Sequence, residues 1–251
     1  MKRIYGLIGY PLSHSFSKEY FAQKFRIEKI DDAGYENFEL RNISGLPGLL
    51  ESRPEIRGLN VTIPHKEAVI PYLASIDPDA KRVGAVNVIK ISQKGNLKGF
   101  NSDYYGFRTS LERWLGRDLF NIKAMILGTG GAAKAVTAVL EDCNIETIKV
   151  SRSEGRNRVT YFDIRKSSEI LGDFRLIINT TPLGMYPKIN EMPNLPYEAL
   201  TGENYLYDLI YNPEKTLFLQ KGESMGCRIK NGKEMLELQA EQSWQIWNNR
   251  D

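Results

Sequence analysis

Cysteine and histidine are scarce in this chain of 251 residues, which carries two of each: Cys143 and Cys227, His14 and His65. Two distant thiols make no disulfide framework, so a reducing compartment with buried or idle thiols fits best. The four residues cannot assemble a zinc site at any recognised ligand spacing, and no metal is expected. No apolar run approaches the roughly 18 residues of a membrane span. Met1-Lys-Arg leads straight into a short strand pattern rather than a signal-peptide core, so a cytoplasmic, membrane-free protein is expected. A surplus of charge is missing too. The 34 basic and 31 acidic residues leave a net +3 with no basic block or stripe, which argues against a nucleic-acid partner.

What is present is a globular composition, 41% apolar and 26% charged without a biased tract, in a chain long enough for one large or two medium domains. Short apolar runs alternate with helical patterns, the signature of βαβ units and a mainly parallel sheet. The first half predicts strands at Ile4–Gly9, Tyr35–Leu40 and Gly58–Ile63, with helices at Ser17–Phe25 and Leu46–Ser52. A further helix is expected over His65–Ala74, interrupted near Pro71. Lys94-Gly-Asn96 between Val86–Ile91 and Leu97–Asn101 marks an antiparallel hairpin. Tyr104–Leu115, with Phe107, Leu111, Trp114 and Leu115 at helical spacing and Gly116 beyond it, predicts a helix bridging two domains. Strands follow at Ala124–Leu127, Ile148–Val150, Val159–Phe162, Leu176–Ile178 and Leu206–Ile210, and helices at Ala132–Cys143, Thr216–Met225 and Lys233–Trp247. The aromatic stripe of that last helix reads as packing.

Met125-Ile-Leu-Gly128-Thr-Gly130-Gly131-Ala-Ala-Lys134 is a strand, a glycine turn and a helix start. Gly128 permits the turn, Gly130 lets backbone approach a pyrophosphate, and the helix N-terminus offers N–H groups and a positive dipole end. Ala133 takes the place of the fingerprint's third glycine. An NAD-binding unit carries an acid about 20 residues on, at the end of its second strand. Here that strand ends in Ser151-Arg152-Ser153, with Arg156 close behind. Arginine suits a 2′-phosphate, so NADP(H) is expected over NAD(H).

Two further stretches are dense in polar side chains where strands should end. Gly9-Tyr-Pro-Leu-Ser-His-Ser-Phe-Ser17 sets hydroxyls before a helix, a place for an anion, although simple capping would account for one serine. Asn60-Val-Thr-Ile-Pro-His-Lys66 brings two polar side chains and a lysine around a proline that should end its strand. Open α/β sheets place their chemistry at such carboxyl ends.

With these stretches the chain resembles the shikimate dehydrogenases, NADP-dependent enzymes that reduce 3-dehydroshikimate to shikimate in aromatic biosynthesis. The likeness rests on seven ordered motifs. They are Gly9 to Ser17, Asn60 to Lys66, Gly84 to Asn87, Asn101 to Gly106, Asn179 to Met185, Tyr207 to Pro213 and Gly232 to Ala240. The resemblance implies two α/β domains with a cleft between them: a substrate domain over 1–103, completed by the C-terminal helix 231–251, and a Rossmann-like NADP domain over 104–230. It implies Lys66 and Asp103 as the catalytic pair, and Ser15, Ser17 and Tyr211 on the substrate carboxylate. Asn60, Thr62, Asn87 and Gln239 are implied on the ring hydroxyls. Gly128, Thr129, Gly130, Gly131, Ala132, Ser151, Arg152, Arg156, Leu209, Gly232 and Met235 are implied at the cofactor.

Carbonyl reduction needs a hydride at carbon and a proton at oxygen; a lysine can supply the proton itself or stabilise the developing alkoxide while water supplies it. Departures from the pattern are Lys18 for a proline, Ser151 for an asparagine, Ser102 for a threonine and Thr180 for an alanine. His65 fills a variable position and reads as structural. The expected partner is the small-molecule substrate, in a monomer or homodimer. Three readings compete. One is a quinate/shikimate dehydrogenase with relaxed use of NAD, one a non-catalytic NADP-binding sensor, and one a reductase of another small carbonyl acid.

Overall fold

The computed structural model describes residues 2–12, 16–119, 121–153, 155 and 158–249. The chain divides into two compact units, Met1–Ser102 with Ala240–Asp251, and Asp103–Gln239.

The first unit runs β1 (Arg3–Gly9), α1 (Phe16–Ile27), β2 (Ala33–Glu39), α2 (Leu46–Ser52), β3 (Ile56–Val61), β4 (Ser75–Ile76), α3 (Pro78–Val83), β5 (Val88–Ile91) and β6 (Leu97–Phe100). Its sheet has the order β2-β1-β3-β5-β6-β4. The β1 pairings with β2 and β3 are parallel, while β3–β5 and the β5–β6 hairpin are antiparallel. Because of those directions, the carboxyl ends of β1, β2, β3 and β6 and the amino end of β5 all lie on one sheet edge.

The second unit contains most of α4 (Ser102–Leu115), then β7 (Ala124–Leu127), α5 (Gly131–Asp142), β8 (Thr147–Ser151), β9 (Arg158–Thr160), α6 (Tyr161–Lys166), α7 (Ile170–Asp173), β10 (Leu176–Asn179), β11 (Tyr205–Asp208), α8 (Leu217–Ser224), β12 (Arg228–Lys230) and the start of α9 (Lys233–Asn248). All its strand pairings are parallel, in the order β12-β11-β10-β7-β8-β9. That is the doubly wound order 6-5-4-1-2-3, whose ligand crevice lies outside the carboxyl ends of the first and fourth strands. Strands β7, β10 and β11 are buried at every position, as expected of a parallel sheet covered on both faces.

Each unit has its own core. In the first, α9 brings Trp244 and Trp247 onto Tyr5, Phe21 and Phe25, and Trp247 stacks on Tyr5 at 4.8 Å between ring centres. Its indole N–H donates to the Ile89 carbonyl at 3.0 Å, so the aromatic stripe is packing, as its sequence suggests. In the second, Phe107 and Leu111 of α4 pack with Val136 and Val139 of α5, Ile126, Ile178 and Tyr207.

Two expected elements differ. His65–Ala74 is not a helix: turns cover 66–69 and only Ile70–Tyr72 forms a 3₁₀ turn, because Pro71 contributes no N–H to a helical ladder. Val159–Phe162 is not a strand throughout. Thr160 ends β9 and caps α6 in a box, its hydroxyl accepting from Asp163 N at 3.2 Å while Asp163 Oδ2 accepts from Thr160 N at 2.8 Å. Helix α3 had no counterpart in the sequence reading. It is built on an Asp77 cap, Pro78 in its first turn and a left-handed Gly84 at φ 69°.

Candidate active site

The shared edge of the first unit gathers Asn60 at the end of β3, Asn87 just before β5 and Ser102 just after β6. All three are buried, and with Ser243 of α9 they close a ring of hydrogen bonds, Asn60 to Asn87, Asn87 to Ser102, Ser102 to Ser243 and Ser243 to Asn60. Asn87 Oδ1 accepts from the Ser102 backbone N–H at 2.7 Å, satisfying a donor at the start of α4. Its Nδ2 donates to Ser102 Oγ at 3.1 Å. The Asn60 amide donates to the Asn87 carbonyl at 3.3 Å and to Ser243 Oγ at 2.9 Å, and accepts from the Tyr35 hydroxyl at 2.8 Å. Backbone groups at both amides fix which end is oxygen and which nitrogen. By the capacity of an amide, Asn60 keeps one acceptor lone pair for a ligand and Asn87 keeps one N–H. A ring hydroxyl, donor and acceptor at once, suits that pair.

Beyond β3, Thr62 N–H donates to the Ile8 carbonyl at 2.9 Å and the Thr62 carbonyl accepts from His65 N–H at 2.9 Å, which turns the chain at once. His65 is buried and its Nε2 donates to the Leu40 carbonyl at 2.6 Å, so this histidine is structural. Half-buried Lys66 follows, its carbonyl held by Val86 N–H at 2.7 Å. That bond ties the lysine-bearing turn to the segment that carries Asn87. Ser17, in the first turn of α1, is half-buried near Tyr35, while Ser15 lies outside the described residues.

In the second unit the glycine loop follows β7 at the switch point. Gly128 has φ 112°, and a Cβ there would come within 2.7 Å of Thr180 Oγ1. Thr180, which stands where the related pattern has alanine, returns its hydroxyl to the Leu127 carbonyl at 2.7 Å. Thr129 and Gly130 are exposed, Gly131 and Ala132 open α5, and no side chain caps that helix. Its first N–H groups and dipole are therefore presented to a ligand. Ser151 ends β8 and Arg152 is exposed beside Tyr161. Burial pushes the Tyr161 pKa up to about 12, and the Arg152 charge opposes that rise. Arg156 lies outside the described residues.

Leu209 follows β11, its N–H donating to the Asn179 carbonyl at 3.0 Å. Asp208 before it is fully buried and accepts from Asn179 Nδ2 at 3.1 Å, Ile210 N at 3.0 Å and Thr216 Oγ1 at 2.6 Å. Those bonds fix both ends of the loop bearing Leu209 and half-buried Tyr211. Gly232 lies so close to Leu209 that a Cβ would strike its backbone, and the Gly232 N–H donates to the Ile210 carbonyl at 3.0 Å. Met235 is in the core of the unit, and Gln239 Nε2 donates to the Leu236 carbonyl at 3.0 Å. Asp103 is buried in the first turn of α4. The sequence reading gave no role to Tyr35, Asp208 or Ser243. Only Asp208 sat in a recognisable motif.

Comparison with known proteins shows the family. A sequence profile described as the shikimate dehydrogenase substrate binding domain matches residues 7–89. A shikimate dehydrogenase (NADP(+)) of Clostridium beijerinckii is 42% identical over 97% of this chain and 91% of its own length. The chain belongs to the shikimate dehydrogenase family. Among solved structures, shikimate dehydrogenase 1 from Peptoclostridium difficile is 37% identical, with a TM-score of 0.83 over 98% of this chain and 91% of that one. The shikimate 5-dehydrogenase of Thermus thermophilus, solved in complex with NADP(H) and shikimate, is 30% identical, with a TM-score of 0.80 over 98% and 93%.

The second-unit edge fits the dinucleotide that this family's NADP(+) members use. Gly128 leaves no room for a side chain, α5 carries no capping side chain, and β8 ends in Ser151-Arg152-Ser153 rather than an acid. Among the described residues no helix is long and apolar enough to cross a membrane.

Proposed function

We propose that the protein reduces 3-dehydroshikimate to shikimate with NADPH, reversibly. The observation that carries this reading is the buried Asn60–Asn87 pair, one ligand acceptor and one ligand donor beside the Lys66 turn, in a chain whose other unit presents a phosphate loop. When bound, NADPH supplies the hydride. Gly128 to Ala132 would hold its pyrophosphate, Ser151, Arg152 and Arg156 its 2′-phosphate, and Leu209, Gly232 and Met235 would shape the nicotinamide end. Ser15, Ser17 and Tyr211 bind the substrate carboxylate, and Asn60, Thr62, Asn87 and Gln239 orient the ring hydroxyls.

Lys66 provides the proton at the carbonyl oxygen, and in the reverse direction takes it from the shikimate hydroxyl. The Asp103 carboxylate orients the Lys66 ammonium. Burial suits Asp103 to that task, since a charge out of water attracts its partner more strongly. The cytoplasm is the expected setting.

Assay of the purified protein with shikimate or quinate, each with NADP+ or NAD+, tests the reading. Shikimate with NADP+ is expected to give the highest kcat/KM. Equal use of quinate and NAD+ would favour the quinate/shikimate alternative. Nucleotide binding with no turnover would favour a sensor.

A further inference from the structure

Tyr35 belongs to none of the seven motifs, yet its hydroxyl touches the centre of the substrate edge. It projects from β2, is 8% exposed, and stacks on Phe21 with ring centres 4.5 Å apart and planes at 15°. Its hydroxyl donates to Asn60 Oδ1 at 2.8 Å. The direction of that bond follows from the far side of the amide. Asn60 Nδ2 faces the Asn87 backbone carbonyl, which can only accept, so the amide cannot turn over. Oδ1 therefore faces Tyr35, and the phenol must be the donor. Burial raises the Tyr35 pKa far above its ordinary value, against a smaller opposing effect of the Ser17 hydroxyl, so the proton stays on the phenol throughout the neutral range.

Three of the four hydrogen-bonding positions on Asn60 are thus committed within the protein: both N–H bonds to Asn87 and Ser243, and one Oδ1 lone pair to Tyr35. We infer that Tyr35 is a positioning residue for substrate recognition: its hydroxyl holds Asn60 as an acceptor-only ligand with a single lone pair aimed at one donating ring hydroxyl of the substrate. A cyclic polyol presenting an O–H there is accepted. One presenting only an acceptor, such as a keto or methoxy group, meets an oxygen and is rejected, because an unpaired acceptor pair in a buried site is costly. The inference rests on the reading of Asn60 as a substrate ligand.

The test is steady-state kinetics of Tyr35→Phe, Asn60→Ala and the double variant. Phenylalanine keeps the stack on Phe21 and removes only the hydroxyl, and KM does not depend on the fraction of protein that folds. Tyr35→Phe is expected to raise KM for shikimate about 3- to 10-fold, the value of one hydrogen bond. Its kcat should stay within about twofold of wild type and KM for NADP+ should not move. In the Asn60→Ala background, Tyr35→Phe should add nothing further.

A fall in kcat at constant KM would mark Tyr35 as merely structural and overturn the inference. The same KM increase in the Asn60→Ala background would overturn it too, since Tyr35 would then act by another route. If Asn60→Ala raises KM while Tyr35→Phe does not, the inference fails and the reading of Asn60 stands. If Asn60→Ala leaves KM unchanged, Asn60 is not a substrate ligand and both fail.

Discussion

The sheet edges of the two units differ in the groups they offer a ligand. In the first unit Asn60, Asn87, Ser102 and Ser243 are buried side chains that spend most of their hydrogen-bonding capacity on one another. What the two amides leave for a ligand is one lone pair on Asn60 and one N–H on Asn87. In the second unit the groups on offer are main chain and surface: a glycine turn, an uncapped helix end and exposed Arg152. Saturated networks discriminate between hydroxyl patterns, because an unmatched group stays buried and unpaired. Helix ends and arginines read charge and tolerate varied geometry.

Lys66 should show the largest effect on this division. Lys66→Ala is expected to lower kcat by at least about 100-fold in both directions, the lower range for a lost general acid, with KM for NADP+ unchanged. Turnover near wild type would remove Lys66 from the chemistry.

Arg152→Ala is the next largest. NADP+ is expected to be preferred over NAD+ by at least about tenfold in the wild type, and the variant should lose most of that ratio while KM for shikimate holds. A ratio that survives the substitution would move 2′-phosphate recognition elsewhere on the edge.

The smallest effect is on stability, at Asp208, which holds the Leu209–Tyr211 loop. Its pKa is pushed up to about 6 from 3.8 by burial, against bonds from Thr216, Ile210 and Asn179. A folded-state pKa above the unfolded one means this group's contribution to stability is complete below about 4 and lost as pH rises through about 6. Asp208→Asn removes that titration and leaves an amide that can accept from Asn179 and Ile210 while donating to Thr216. The Tm of the variant relative to wild type should therefore climb between about pH 4 and about pH 7, by on the order of 5 °C. Parallel Tm curves across that range would show that Asp208 does not titrate there.

The edges also differ in how much of each could be read from sequence. The nucleotide edge is local: Gly128 to Ala132 and Ser151-Arg152 are contiguous pieces whose proposed roles follow from spacing and strand ends. Only the boundary at Val159–Phe162 misled there, although Thr160 and Asp163 spell a capping pair. The substrate edge is assembled from distant segments. Asn60 finds Tyr35 25 residues away and Ser243 183 residues away, separations at which no spacing rule operates. Family resemblance pointed to Asn60 and Asn87, but what they can still offer a ligand depends on Tyr35, Ser102 and Ser243, which only the fold brings together. The turn after β3 was misread for a local reason, since Pro71 prevents the helix that the apolar spacing over His65–Ala74 suggests.

The division of labour is tested most directly by measuring KM for shikimate and for NADP+ side by side in Asn87→Ala and Gly128→Ala. The first strands buried partners at the substrate edge and should raise KM for shikimate about tenfold, leaving KM for NADP+ within about twofold. The second forces a Cβ onto a residue at φ 112° and against Thr180, and should do the reverse, raising KM for NADP+ about tenfold. Changes that cross over, with Asn87→Ala weakening NADP+ or Gly128→Ala weakening shikimate to the same degree, would contradict the account.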